Sequence, residues 1–179
     1  MVHFSSLAIV FLLCVASSHA VKNVDFDTIC KGTENPSFCL TLLNSKPGTN
    51  RDLVSLAQYT MDVLLVNTTN TIKLVNMLLS KSRGDYEARY HYRTCLSHFV
   101  AISDTLKMTP FYMESGEYDN VLEHAVGVRI DVDNCISGDS PGDPHYPYHD
   151  TSMLPKYANM VDQDAMVFAA VVQHLNKPI

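Results

Sequence analysis

The chain has 179 residues, 19 acidic against 13 basic side chains, a formal net charge of −6 and no Trp. Its charges are interspersed rather than blocked, which argues against a nucleic-acid partner, because such binders carry a basic stripe. The length fits one domain large enough to bury a core, and nothing in it is low-complexity.

The first segment reads as an address rather than as part of a fold. Leu7 to Ala16 is a continuous apolar run, and Ser18-His-Ala20 offers the small residues that a signal peptidase reads. A membrane anchor needs roughly 20 apolar residues, and no stretch reaches that length, so no membrane partner is expected. Residues 1–20 are therefore expected to be a signal peptide, with a secreted mature chain (residues 21–179) starting near Val21. Cys14 leaves with the peptide. Cys30, Cys39, Cys95 and Cys135 remain, and an even count in an exported chain reads as two disulfides with three pairings open. A zinc site is disfavoured, since no CxxC and no matching His spacing is present.

Residues 21–45 read as a helical hairpin. Cys30 and Cys39 bracket Gly32 and Asn35-Pro36, all turn-formers, and Pro36 suits the first turn of a second helix. After the turn cluster Lys46–Asn50, with Asn50 as the expected cap, residues 50–177 read as a bundle. Leu53, Ala57, Leu64, Thr68, Thr71, Val75 and Leu78 recur at three- and four-residue steps, the stripe of one long helix. That helix carries the sequon Asn67-Thr68-Thr69, which marks Asn67, at the edge of the stripe, as a glycan acceptor. Arg83-Gly-Asp85 spells an adhesion tripeptide but reads as a Gly turn followed by an Asp cap.

The second stripe is Ala88, Tyr92, Cys95, Phe99, Ile102 and Leu106, and Pro110 is expected to end or bend this helix. The third begins around Glu117–Asn120 and runs through Val121, Ala125, Val128, Val132 and Cys135. Ser137–Pro155 lacks periodicity and reads as a long exposed loop. A fourth helix spans about 155–175, with Tyr157, Val161, Phe168, Val171 and Leu175 inward. The expectation is an all-α, up-down-up-down four-helix bundle preceded by a hairpin.

The search for chemistry returns little. No GxSxG, HExxH, P-loop or GxGxxG is present, so no catalytic residue, cofactor or metal is assigned and the chain is not expected to be an enzyme. Asp143, His145, His149 and Asp150 have donor types that suit a divalent metal, but they read as a solvated loop. His91, His98 and His124 are candidates for coupling binding to mildly acidic pH, and Tyr86, Tyr90 and Tyr92 for a partner-facing patch.

Ile29-Cys30, Thr33 and Asn35-Pro-Ser-Phe-Cys-Leu40, just after a signal peptide, resemble the plant invertase and pectin methylesterase inhibitor family. The resemblance implies a hairpin stapled by Cys30–Cys39 and a bundle stapled by Cys95–Cys135; the core-facing positions of Cys95 and Cys135 agree with it. It further implies a secreted inhibitor that occludes the cleft of a cell-wall pectin methylesterase in the apoplast. Ser115-Gly-Glu-Tyr-Asp-Asn120 lacks the Pro-Lys-Phe motif of the invertase inhibitors and looks like the methylesterase group. Glu117, Tyr118 and Asp119 are the partner-binding residues this implies. Leu154-Pro-Lys-Tyr157 has similar letters in the wrong place. Two departures stand out: Ile136-Ser137 where the family has an acidic pair, and Arg129-Ile130 in a helix usually rich in Ala and Gly. The alternatives are an inhibitor of acid invertase and a non-inhibitory bundle that binds a small apolar ligand or another partner.

Overall fold

A computed structural model describes residues 24–140, 142 and 145–176; the signal peptide expected over 1–20 lies outside the described residues. Six helices and no strands are found among these residues: α1 (Phe26–Cys30), α2 (Pro36–Asn44), α3 (Leu53–Lys81), α4 (Tyr86–Glu114), α5 (Tyr118–Ser137) and α6 (Leu154–Leu175). The long helices α3 to α6 form a closed antiparallel ring in which α3 and α5 each pack on both α4 and α6. The hairpin α1–α2 rides on α6 and touches α3. This is the expected all-α four-helix bundle.

Local chemistry explains where each helix starts. Asp25, Asn35, Asp52 and Asp85 each accept a backbone N–H of the first turn, occupying donors that have no helical partner. Asp52 rather than Asn50 caps α3; the Asn50 side chain instead accepts the Asp52 N–H, one step outside the helix. The α4–α5 connection is a Schellman turn. The Gly116 N–H reaches the Met113 carbonyl at 3.2 Å and the Glu117 N–H reaches Tyr112 at 2.9 Å. Gly116 sits at φ +73°, where a side chain would be strained.

The apolar stripes meet inside the ring. Leu56, Leu64, Phe99, Ile102, Leu106, Val121, Phe168 and Val171 are all but inaccessible. Burial of each such side chain stabilises the fold by about 1.5–3 kcal/mol before conformational entropy is counted. Two disulfides reinforce the packing. Cys30–Cys39 closes the hairpin with Cα atoms 5.5 Å apart, and Cys95–Cys135 joins α4 to α5 with Cα atoms 4.3 Å apart.

Two expectations are corrected. Of the two outcomes expected at Pro110, the ending of α4 is overturned, since the helix runs on to Glu114. The ring removes one donor, but Thr109 and Met113 on either side are buried, so tertiary packing holds the last turn in place. The 138–153 connection is not simply an exposed loop either. It is fastened to α4 by its own aromatic and acidic side chains.

Candidate partner-docking surface

The residues expected to bind a partner lie at the tight α4–α5 junction. Glu117 is exposed at the N-terminus of α5, and its Oε2 accepts the Asn120 amide at 2.6 Å. Asp119 is exposed in the first turn of α5 and accepts the amide of Asn176. Tyr118 is half-buried and packs on the core. An acid at a helix N-terminus is also a local stabiliser through the macrodipole.

Sequence reasoning missed the apolar half of this surface. Met108 and Phe111, one helical turn apart at the end of α4, remain 58% and 61% exposed. The Phe111 ring meets Tyr112 edge-on at 5.3 Å, and Tyr112 meets His124 at 5.2 Å. His124 is anchored through Nδ1 to the Thr109 hydroxyl at 2.9 Å. The signal was available: both residues fall off the inward stripe of α4. Large exposed apolar side chains followed in the chain by the exposed acids Glu114, Glu117 and Asp119 have the composition of an interface.

The acidic loop cluster is split rather than gathered. His145 Nδ1 pairs with Glu87 at 2.7 Å, and Asp150 pairs with His91 Nε2 at 3.2 Å. His149 is exposed, and Asp143 lies outside the described residues. Among the described residues no three His, Cys, Asp or Glu side chains converge as a metal site.

What these groups do is dock the loop. Asp150 accepts from the Tyr92 hydroxyl at 3.2 Å and the Ser152 N–H at 2.8 Å, and Tyr148 stacks on His91 at 4.6 Å. Burial lowers the His91 pKa, partly offset by Asp150, and pushes the Tyr92 hydroxyl up to about 12. His98 holds Asp131 of α5 at 2.8 Å and Asp139 of the connection at 2.6 Å. So His91 and His98 are structural clasps here, and Tyr92 is buried while Tyr86 stays exposed.

The two departures from the family pattern have structural partners. Arg129 bridges Asp162 of α6 at 2.8 Å and Glu34 of the hairpin turn at 3.1 Å. Ile136 packs against the core, and the Ser137 hydroxyl donates to Asp133 at 2.9 Å. Ile130 is left exposed. Open grooves of about 360 and 220 Å³ flank Arg129 along α5 and α6.

Asn67 turns toward α6. Its amide nitrogen donates to Asp164 Oδ2 at 2.6 Å, and burial pushes the Asp164 carboxyl up to about 6. A glycan would be linked to that same nitrogen, leaving it one N–H for Asp164.

The fold and its surfaces define a disulfide-stapled four-helix bundle with an appended helical hairpin, presenting a mixed apolar and acidic patch at one end. A family model for plant invertase/pectin methylesterase inhibitors matches residues 25–160, and the chain belongs to that family. It is 31% identical over 131 residues to pectinesterase inhibitor 1 of Arabidopsis thaliana, covering 73% of this chain and 69% of that protein. It is 27% identical over 144 residues to a pectinesterase inhibitor of Actinidia deliciosa, covering 79% and 77%. A solved mutant form of an Arabidopsis pectin methylesterase inhibitor shares the fold at a TM-score of 0.72 and 22% identity, over 86% of this chain and 98% of that one. A second inhibitor structure from Arabidopsis thaliana matches at 0.61 and 21%, over 86% and 97%.

Proposed function

We propose that this chain is a secreted inhibitor that occludes the substrate cleft of a plant cell-wall pectin methylesterase in a reversible complex. The observation that carries the reading is its 31% identity over 131 residues to a named pectinesterase inhibitor. A bundle held by two disulfides loses little conformational freedom on binding, so contact area converts efficiently into affinity. The docking surface is the α4–α5 junction, with Phe111 and Met108 as anchors and Glu117, Tyr118 and Asp119 beside them. The mature chain starts near Val21, and N-terminal sequencing of exported protein checks that start.

Titration of the oxidised protein against a pectin methylesterase and an acid invertase, side by side at mildly acidic pH, tests the reading. Stoichiometric loss of esterase activity is expected. Loss of invertase activity alone would transfer the chain to the other branch of the family. No effect on either enzyme, together with a melting temperature raised by lipids, would point to the ligand-binding bundle. Within the first outcome, Phe111→Ala and the pair Glu117→Lys/Asp119→Lys should each weaken the complex about tenfold or more. Unchanged inhibition by both variants removes the junction from the interface.

A further inference from the structure

Charge that reads as interspersed over the chain as a whole is segregated along the facing parts of α3 and α4, which corrects that expectation locally. Residues 63–84 and 88–103 contain no Asp or Glu, in a chain with 19 of them. The same stretches hold Lys73, Lys81, Arg83, Arg89 and Arg93, all exposed and none in an ion pair. The two acids between the stretches are engaged elsewhere. Asp85 caps α4 through the Ala88 N–H, and Glu87 pairs with His145.

Geometry gathers part of this set into one surface. Tyr86, Arg89 and Arg93 fall at i, i+3 and i+7 on α4, which is one helical face. Antiparallel α3 and α4 join at 82–85, so at about 1.5 Å per residue Lys73 and Arg93 lie at nearly the same distance from the turn. Tyr86 is 68% exposed, at the head of the line. His91 and His98 point toward the 138–153 connection and α5, and the connection also reaches the head of the line, where His145 meets the Tyr86 ring edge-on at 5.6 Å.

Folding does not ask for this arrangement. Arg89 sits in the first turn of α4, where the helix dipole disfavours a cation, and Arg89 and Arg93 repel at i, i+4. Unpaired guanidinium groups about one turn apart, with an exposed aromatic ring in line, suit carboxylates carried on sugar rings. The guanidinium fork grips the carboxylate, and the ring packs on the apolar C–H face of a pyranose. An acidic protein surface would share the charge but would also need an apolar centre, which this end of α4 offers only in Tyr86.

We propose that the Tyr86–Arg89–Arg93 face binds a linear polycarboxylate sugar, the de-esterified pectin that the target enzyme leaves behind. The ligand class rests on the methylesterase reading, because hydrolysis of each methyl ester exposes one carboxylate. The surface lies at the opposite end of α4 from Met108 and Phe111, so a chain held on the polymer keeps its enzyme-docking end free. Inhibitor is thereby concentrated where the enzyme has already worked.

The test is retention of the purified full-length mature protein on immobilised polygalacturonate against fully methyl-esterified pectin, without enzyme, at mildly acidic pH and rising salt. Retention by polygalacturonate alone is expected, weakening as salt screens the contacts. Arg89→Glu/Arg93→Glu should lose about tenfold or more of it, and Tyr86→Ala should lose a smaller part. Lys31→Glu/Lys156→Glu changes net charge equally at exposed cations elsewhere and should bind like the parent. Circular dichroism confirms that each variant is folded. Equal retention on both polymers, or equal losses in both double variants, overturns the proposal. If the parent is not retained while Arg89→Glu/Arg93→Glu weakens calorimetric binding to the enzyme, the face belongs to a protein contact instead. Enzyme inhibition is measured separately, so failure of the inhibitor reading and failure of polymer binding are told apart.

Discussion

Asp164 and His91 are buried titratable groups whose pH effects oppose each other. The folded pKa of Asp164, about 6, lies above its ordinary value of 3.8, because burial outweighs the Asn67 hydrogen bond. A raised acid pKa stabilises fully below the ordinary value and loses that contribution as pH rises through the folded one. The contribution is about 3 kcal/mol and disappears between about pH 4 and 6. Asp164→Asn should therefore flatten this part of the profile and raise stability at neutral pH relative to the parent, as read by urea denaturation across that range. His91 has the opposite sign. Its pKa is lowered, so its contribution is present above the ordinary 6.5 and declines as pH falls below it. Asn67 carries the sequon and keeps one N–H for Asp164 when glycosylated, so glycosidase treatment of exported protein should lower its mass by one N-glycan. Gly138 is constrained twice, by φ +91° and by Tyr146, which would lie 2.6 Å from an added Cβ. Gly138→Ala should destabilise by about 1–3 kcal/mol and speed amide exchange in the 145–152 segment.

At the scale of elements, each piece outside the four-helix ring is held by a few identifiable ties. The hairpin depends on Cys30–Cys39, on the Ser45–Tyr59 hydroxyl pair at 2.8 Å, and on Arg129 reaching Glu34. Arg129 is partly exposed, so its ion pairs contribute about 1 kcal/mol or less. Arg129→Ala should leave the global melting temperature nearly unchanged while amides at 31–36 exchange faster. Equal exchange in the two proteins would show that the disulfide and the bonds from Asn35 to Gln163 and Glu34 to Met166 hold the turn without the ion pair. Cys95–Cys135 acts on the ring itself. Replacing both cysteines with Ala should lower stability by about 3–4 kcal/mol, the chain-entropy expectation for a loop of this length. The helices themselves were legible because an inward stripe, a cap and a turn residue coincide at nearly every boundary. Pro110 misled because a local rule about backbone donors was outweighed by two buried neighbours on the same turn.

At the scale of the whole molecule, the two ends of α4 have different characters. One end offers Met108 and Phe111 beside acids, and the other a run of cations with Tyr86. One continuous 29-residue helix packed on α3 and α5 separates them, so binding at one end is not expected to alter affinity at the other. Calorimetric titration of the enzyme, without polymer, with the parent and with Arg89→Glu/Arg93→Glu should return the same dissociation constant. A change would mean that the two surfaces meet on the enzyme.

The sequence by itself determined the helix count, the ring order and the family, because apolar periodicity and cysteine spacing are local properties that packing only has to respect. It also placed Glu117, Tyr118 and Asp119 at a junction, since a Gly turn is visible in the letters. Only the tertiary structure decided which polar residues become fasteners. Asp150, Asp139 and Asp164 look like ordinary surface acids until the fold sets them against His91, His98 and Asn67, partners that lie 59, 41 and 97 residues away. Such pairs carry no period and no motif. For His91–Asp150 and Asn67–Asp164 the energy comes from desolvated space that exists only after the stripes have closed on one another, whereas Asp139 stays more than half exposed.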